Sequence, residues 1–195
     1  MKRILLLLTI CLLTLGGMAQ KKQNYSEEDV KQFYRTIQGY YTGQLNDTTT
    51  IALHFTPIWD NDPFHWLYME AVNTNNKSIV EQKILEICPV SDIAFKVVVH
   101  DIAHPEQFAG KWSNRNFFDG FNTGILKGKK QFTFMKTMDF EYQTGWNRRK
   151  NLKCFPMGDR IHFKFVQEDE RLYVRRLLAR SSDFANIIFF KAPID

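Results

Sequence analysis

The segment NYSEEDVKQFYRTIQGYY, residues 24–41, places Val30, Phe33, Tyr34 and Ile37 at the three- and four-residue spacing of a single helix face. Ser26 stands in a capping position, acidic residues follow in the first turn, and Gly39 closes the run. One amphipathic helix is predicted. Beyond it the period changes to two. TIALHFTPIW, HWLYMEAV, SIVEQKILEI, IAFKVVVHDI, QFTFMKTMDFEY, RIHFKFV, RLYVRRLLA and NIIFFKA are rich in β-branched and aromatic residues, and turn chemistry such as LNDT, DNDP, NTNNK, PMGD and QEDE separates them. Many short strands after one helix predict a mostly β fold, an antiparallel sheet closed or nearly closed into a barrel.

The cleanest alternation sets Ile161, Phe163 and Phe165 against Arg160, His162 and Lys164, a sheet with one dry face. Other strands are mixed. Lys96, Val98 and His100 share one face, as do Tyr173, Arg175 and Leu177. Aromatic residues interrupted by isolated charges describe a barrel of roughly eight to ten strands whose interior holds a ligand. The region from His104 to Lys130 breaks the period and is expected to form a short helix or a lid-like loop.

The stretch PFHWLYMEAV, residues 63–72, sets a carboxylate in an apolar strand. Extended, it turns Leu67, Met69 and Ala71 one way and Trp66, Tyr68 and Glu70 the other. Glu70 is then either a rim carboxylate paired to a neighbouring base or a pocket group. The second reading points Glu70 into the barrel. Burial beside Trp66 and Tyr68 would demand a cation, with Lys96 and Arg175 as candidates from other strands. Such a site would hold the pyrrole nitrogens or propionates of a tetrapyrrole, or the amine or hydroxyl of a smaller ligand, with Trp66 and Phe95 as walls.

The ends of the chain bear on where this chemistry would operate. Lys2 and Arg3 precede an apolar run from Ile4 to Leu15, and Gly17 and Ala19 supply small residues for cleavage. Residues 1–19 are read as a secretory signal peptide, too short to span a bilayer. Residues 20–195 are read as one soluble, secreted or periplasmic domain. The formal charge of +5 falls by two when Lys2 and Arg3 leave, so the basic clusters KGKK and NRRKNLK sit on a mildly charged protein, and export argues against a nucleic-acid partner. Cys11 leaves with the leader. Cys88 and Cys154 then stand either as one disulfide or as two free thiols.

Local catalytic motifs are missing. The sequence has no Gly-x-Ser-x-Gly, His-Glu-x-x-His or Cys-x-x-Cys. HDIAH spaces His100 and His104 four apart, but Pro105 and the preceding strand pattern keep the two imidazoles from converging, so no metal is expected. GILKGKK is too short between its glycines for a phosphate loop and lacks the hydroxyl residue after lysine.

The series GQLND, PIWDNDPFHWLYMEAV, EQKILEICPVSDIAFKVVVHDI and PEQFAG resembles, in order and spacing, the CpcT/CpeT chromophore lyases, over roughly residues 38–192. Gly43 and Asn46 match the family's opening Gly and Asn, and Tyr68 and Glu70 match the Tyr and Glu of its second strand. Ala71, Phe95, Lys96 and Val98 depart from the family's Gln, Tyr and two Arg. Asp183 aligns near the C-terminus, and the Gly-x-Trp-Gly element is missing. The resemblance implies a calycin-like barrel similar to lipocalins, often a homodimer, that binds a linear tetrapyrrole and delivers it to a cysteine of a client protein. Tyr68 and Glu70 hold the family's positions; together with Lys96 and Arg175 they are read as polar anchors of the ligand, with Trp66 and Phe95 as walls, and in a true lyase Glu70 or Tyr68 would assist proton transfer. The first reading is a ligand-binding barrel of this type, and a true lyase is the second; the alternative is an exported non-enzymatic barrel that binds a small apolar ligand or a protein partner, and a structural or partner-binding module would instead have its barrel packed solid.

Overall fold

The computed structural model of the chain describes residues 27–91, 94–138, 141–144, 161–166, 170–177 and 184–193. Helix α1 spans Glu27–Ile37, with Glu27, Glu28 and Asp29 in its first turn and Arg35 in its last, the order the helix dipole favours. Its buried stripe is Val30, Phe33 and Ile37.

Ten strands follow: β1 Gly39–Asn46, β2 Thr49–Ile58, β3 His65–Asn73, β4 Ile79–Ser91, β5 Ala94–Ile102, β6 Leu126–Met138, β7 Glu141–Thr144, β8 Ile161–Val166, β9 Arg171–Leu177 and β10 Phe184–Ala192. Each pairs antiparallel with its neighbour in sequence, and β1 also pairs with β10, from Tyr40 opposite Ala192 to Gly43 opposite Phe189. The barrel is closed, and each of the ten described strands is paired on both sides over at least part of its length.

One buried cluster draws a member from every strand, Tyr41, Leu53, Leu67, Leu85, Phe95, Phe132, Tyr142, Phe165, Leu172 and Phe189 among them, and only the lumen is reached by all ten. Helix α1 closes one end of it. The Phe33 ring enters the lumen with its centroid 4.6 Å from Phe95, 5.2 Å from Tyr142 and 5.6 Å from Phe134 and Phe165. That end of the barrel is therefore packed with side chains rather than open to a ligand.

A second apolar layer lies outside the barrel. Between β5 and β6 the chain makes four short 3-10 turns, at 105–108, 111–113, 115–120 and 123–125, and these cover the outer face of β2–β5. Phe108 and Phe118 from the turns pack with Ile58, Trp66, Tyr68, Ile84 and Ile102 from the strands.

The expectation of a lid-like region after His104 holds for 105–125, but β6 already begins at Leu126. The segment read as one strand over 131–142 belongs to two, β6 ending at Met138 and β7 starting at Glu141, because the chain turns back there to pair with itself. Residues 1–19, read above as a leader, lie outside the described residues, as do Ser26, Cys154 and Asp183.

Candidate functional site

On β3 the inward residues are Leu67 and Ala71, which join the lumen cluster, with Met69 packed against it. Trp66, Tyr68 and Glu70 point outward, beneath the 103–125 cover. This corrects the expectation that Glu70 points into the barrel. The physical reason is that the cover makes the outer face of β2–β5 as dry as the lumen, so an aromatic face no longer marks the inside. The burial of six consecutive residues in β2, Ile51 to Thr56, records the same double coverage.

Glu70 is 1 % exposed, and three donors converge on its Oε2: the Tyr68 hydroxyl at 2.7 Å, the Gly110 backbone N–H at 2.9 Å and Gln82 Nε2 at 3.3 Å. Gln82 Nε2 also donates to the Tyr68 oxygen at 2.7 Å, and Phe108 O lies 3.0 Å from the same hydroxyl. Burial pushes the Tyr68 hydroxyl far above its ordinary range, and its hydrogen bond to Glu70 adds to the shift. A hydroxyl so placed is a poor proton donor at neutral pH.

The cover is tied to the barrel at further points. Thr56 Oγ1 donates to Trp112 O at 2.7 Å, Trp59 Nε1 donates to Phe118 O at 2.9 Å, and Arg115 pairs with Asp60. Trp59 itself is left-handed, with φ 52°, an unusual state for a bulky residue, and its indole bond to the cover helps hold it there.

Beside the cover lies an open cleft of about 940 Å³, between the start of β1, the end of β2, the end of β10 and the turn at 111–113. Its wall includes Tyr40, His54, Thr56, Trp112, Arg115 and Lys191. His54 stacks on Trp112, with ring centroids 3.8 Å apart at an interplanar angle of 18°, and makes a tilted contact with Tyr40 at 4.8 Å and 30°. Burial holds the His54 imidazole below its ordinary pKa, with the Glu70 carboxylate opposing the shift. Lys191 Nζ meets Glu170 Oε1 at 3.0 Å and Thr36 O at 3.1 Å.

The remaining predicted residues do not form one site. Phe95 faces the lumen against Phe33, on the opposite side of the sheet from Trp66, so the two cannot wall a common pocket. Lys96 is outward but stands opposite Cys88, six positions along β4 from the Gln82 that faces Glu70, roughly 20 Å away by strand rise. Glu70 therefore takes its partners from a hydroxyl, an amide and a backbone N–H rather than from Lys96. The backbone of Arg175 pairs with His162 and Asn186; its side chain lies outside the described residues. Cys88 is buried, and burial raises its thiol to about 11, with Glu86 adding and Lys96 opposing. His100 faces Glu86 at 3.0 Å, whereas His104 pairs with Glu106 at 3.4 Å on the exposed cover.

His54, Gly110, Trp112, Arg115 and Lys191 carried no motif in the sequence. His54 was accessible to strand alternation, falling on the face of Thr56 and Ile58, but the cover residues come from an aperiodic segment with no such rule. No protein-family model matches the sequence, and no curated protein matches it.

Proposed function

We propose that this protein is an exported binding barrel of the CpcT/CpeT type that holds a planar, carboxylate-bearing ligand in the outer cleft and performs no chemistry on it. A linear tetrapyrrole is the ligand class the family resemblance implies. The observation that carries the reading is the cleft wall, in which the half-buried Trp112 backed by His54 stands beside two cations, Arg115 and Lys191. A conjugated ring system stacks on the indole, and propionates meet the two cations. The cleft volume of about 940 Å³ falls within the range of roughly 300–1,000 Å³ usual for small-molecule sites. Arg115 and its present partner Asp60 are half-exposed, and such a surface pair exchanges at a cost of about 0–1 kcal/mol, whereas the more buried Lys191 would release Glu170 while keeping its bond to Thr36 O.

The same geometry argues against lyase chemistry by Tyr68 and Glu70. Both are satisfied under the cover, and neither lines the cleft. Cys88 is a buried thiol held protonated, so it is no acceptor for a bilin double bond.

The test is an absorbance titration of the leader-free protein with phycocyanobilin, biliverdin and haem, beside Trp112→Ala. A saturable band shift that weakens about tenfold in the variant is expected, from lost stacking and burial. Binding untouched by the variant would move the site elsewhere. No spectral change with any of the three would remove the tetrapyrrole.

A further inference from the structure

We infer that Glu70 is a positioning residue, the latch of the cover, and that through Gly110 it keeps Trp112 seated on His54. Its bearing on ligand affinity rests on the cleft being the binding site; the latch itself does not.

The cover is an irregular segment whose ends meet where Ala103 N–H donates to Ile125 O at 2.8 Å, so it behaves as a loop packed on the barrel by its own side chains. Gly110 is exposed as a residue, but its backbone N–H turns towards the barrel, has no ladder partner there and takes a side-chain acceptor instead. For Gly110 that acceptor is Glu70 Oε2, at 2.9 Å. A Cβ on Gly110 would meet nothing within 4 Å, so the glycine answers to its left-handed φ of 70°, the turn that aims this N–H at the barrel. Tyr68 and Gln82 contribute by orienting the carboxylate, since both donate to the same oxygen.

Two residues past Gly110 comes Trp112. Its carbonyl is held by Thr56 and its ring by His54, and His54 is the register partner of Glu70 across β2 and β3. The backbone and the aromatic face of this stretch of the cover therefore rest on one cross-strand pair. The far part of the cover is fastened separately, by Trp59 to Phe118 O and by the Ala103–Ile125 closure. Loss of the latch should free residues 110–113 while leaving the buried Phe108, residues 118–125 and the barrel in place.

The experiment is backbone hydrogen exchange on the leader-free protein, comparing wild type with Glu70→Leu, Glu70→Gln and Tyr68→Phe. Glu70→Leu, which removes the acceptor, should speed exchange at residues 110–113 about tenfold or more while protection in β3–β5 stays as in wild type. Glu70→Gln retains a side-chain carbonyl and should restore most of the protection. Acrylamide quenching should rise in Glu70→Leu, and the rise should vanish when Trp112 is also replaced by Phe. Unchanged exchange at 110–113, or acceleration spread evenly over the barrel, would overturn the latch. If Glu70→Leu does not fold, Tyr68→Phe decides: faster exchange by about threefold at the same amides supports the latch, and no change removes it. A wild type that binds no tetrapyrrole would end the binding proposal, while these ligand-free readings would still judge Glu70.

Discussion

His54 is the described imidazole most tightly bound up with the cleft. Tyr40 from β1 and Trp112 from the cover contact its ring, and the charged group facing it is Glu70 on β3. Its pKa is lowered on folding, so the unfolded chain binds the additional proton first as pH falls. The stability it contributes is complete above the unfolded value of about 6.5 and is lost as pH drops from there towards the folded value. His65, whose pKa burial also lowers, acts in the same direction. Melting temperature should therefore decline between pH 7.5 and 5.5, and His54→Phe, which keeps a stackable ring without the titration, should flatten part of the slope. An equal slope in the variant would show that His54 is not the group responsible. Residue chemistry of this kind was half legible in advance. The pairing of Tyr68 with Glu70 on one face followed from alternation, whereas the three donors on Oε2 include a glycine amide forty positions away, which no local pattern specifies.

Among the elements, α1 and the cover differ in how the chain encodes them. The helix is written locally, in the spacing of Val30, Phe33 and Ile37 and in its acidic first turn. Its destination is not. Phe33 finds four aromatic rings in the lumen, each contributed by a different strand. Phe33→Ala would leave a cavity bounded by hydrogen-bonded strands of a closed barrel, which cannot readily collapse into it. A loss of about 3–5 kcal/mol is expected, read from denaturant unfolding. A loss under about 1 kcal/mol would mean that the helix is only loosely seated. The cover shows the reverse. Its aromatic content, Phe108, Trp112, Phe117, Phe118 and Phe121, is visible in the chain, but with no period it could be assigned neither a face nor a partner.

For the whole molecule, the decisive contact is the seam between β1 and β10, the one pairing in the barrel that joins strands distant in sequence. Gly43 sits on it. A Cβ there would lie 2.6 Å from Phe189 Cδ1 and 2.9 Å from the carbonyl oxygen of Ile188, and the backbone atom cannot give way without opening the pair. Gly43→Ala should cost about 1–3 kcal/mol and reduce amide protection in β1 and β10 before the other strands. Uniform loss of protection would place the weak point elsewhere. The glycine of the opening strand thus has a packing reason, and Asn46 a hydrogen-bonding one in its turn, where its Oδ1 accepts from Thr48 N at 3.0 Å. From the chain alone came the helix, most of the strands, their antiparallel order and the closed sheet, because those depend on periodicity and turn chemistry between neighbours in sequence. Tertiary structure decided which face of β3 is inside, where Phe33 goes and what Glu70 holds. A wall covered on both sides presents dry residues at both parities, and only the placement of a distant, aperiodic segment distinguishes the lumen from the space beneath the cover.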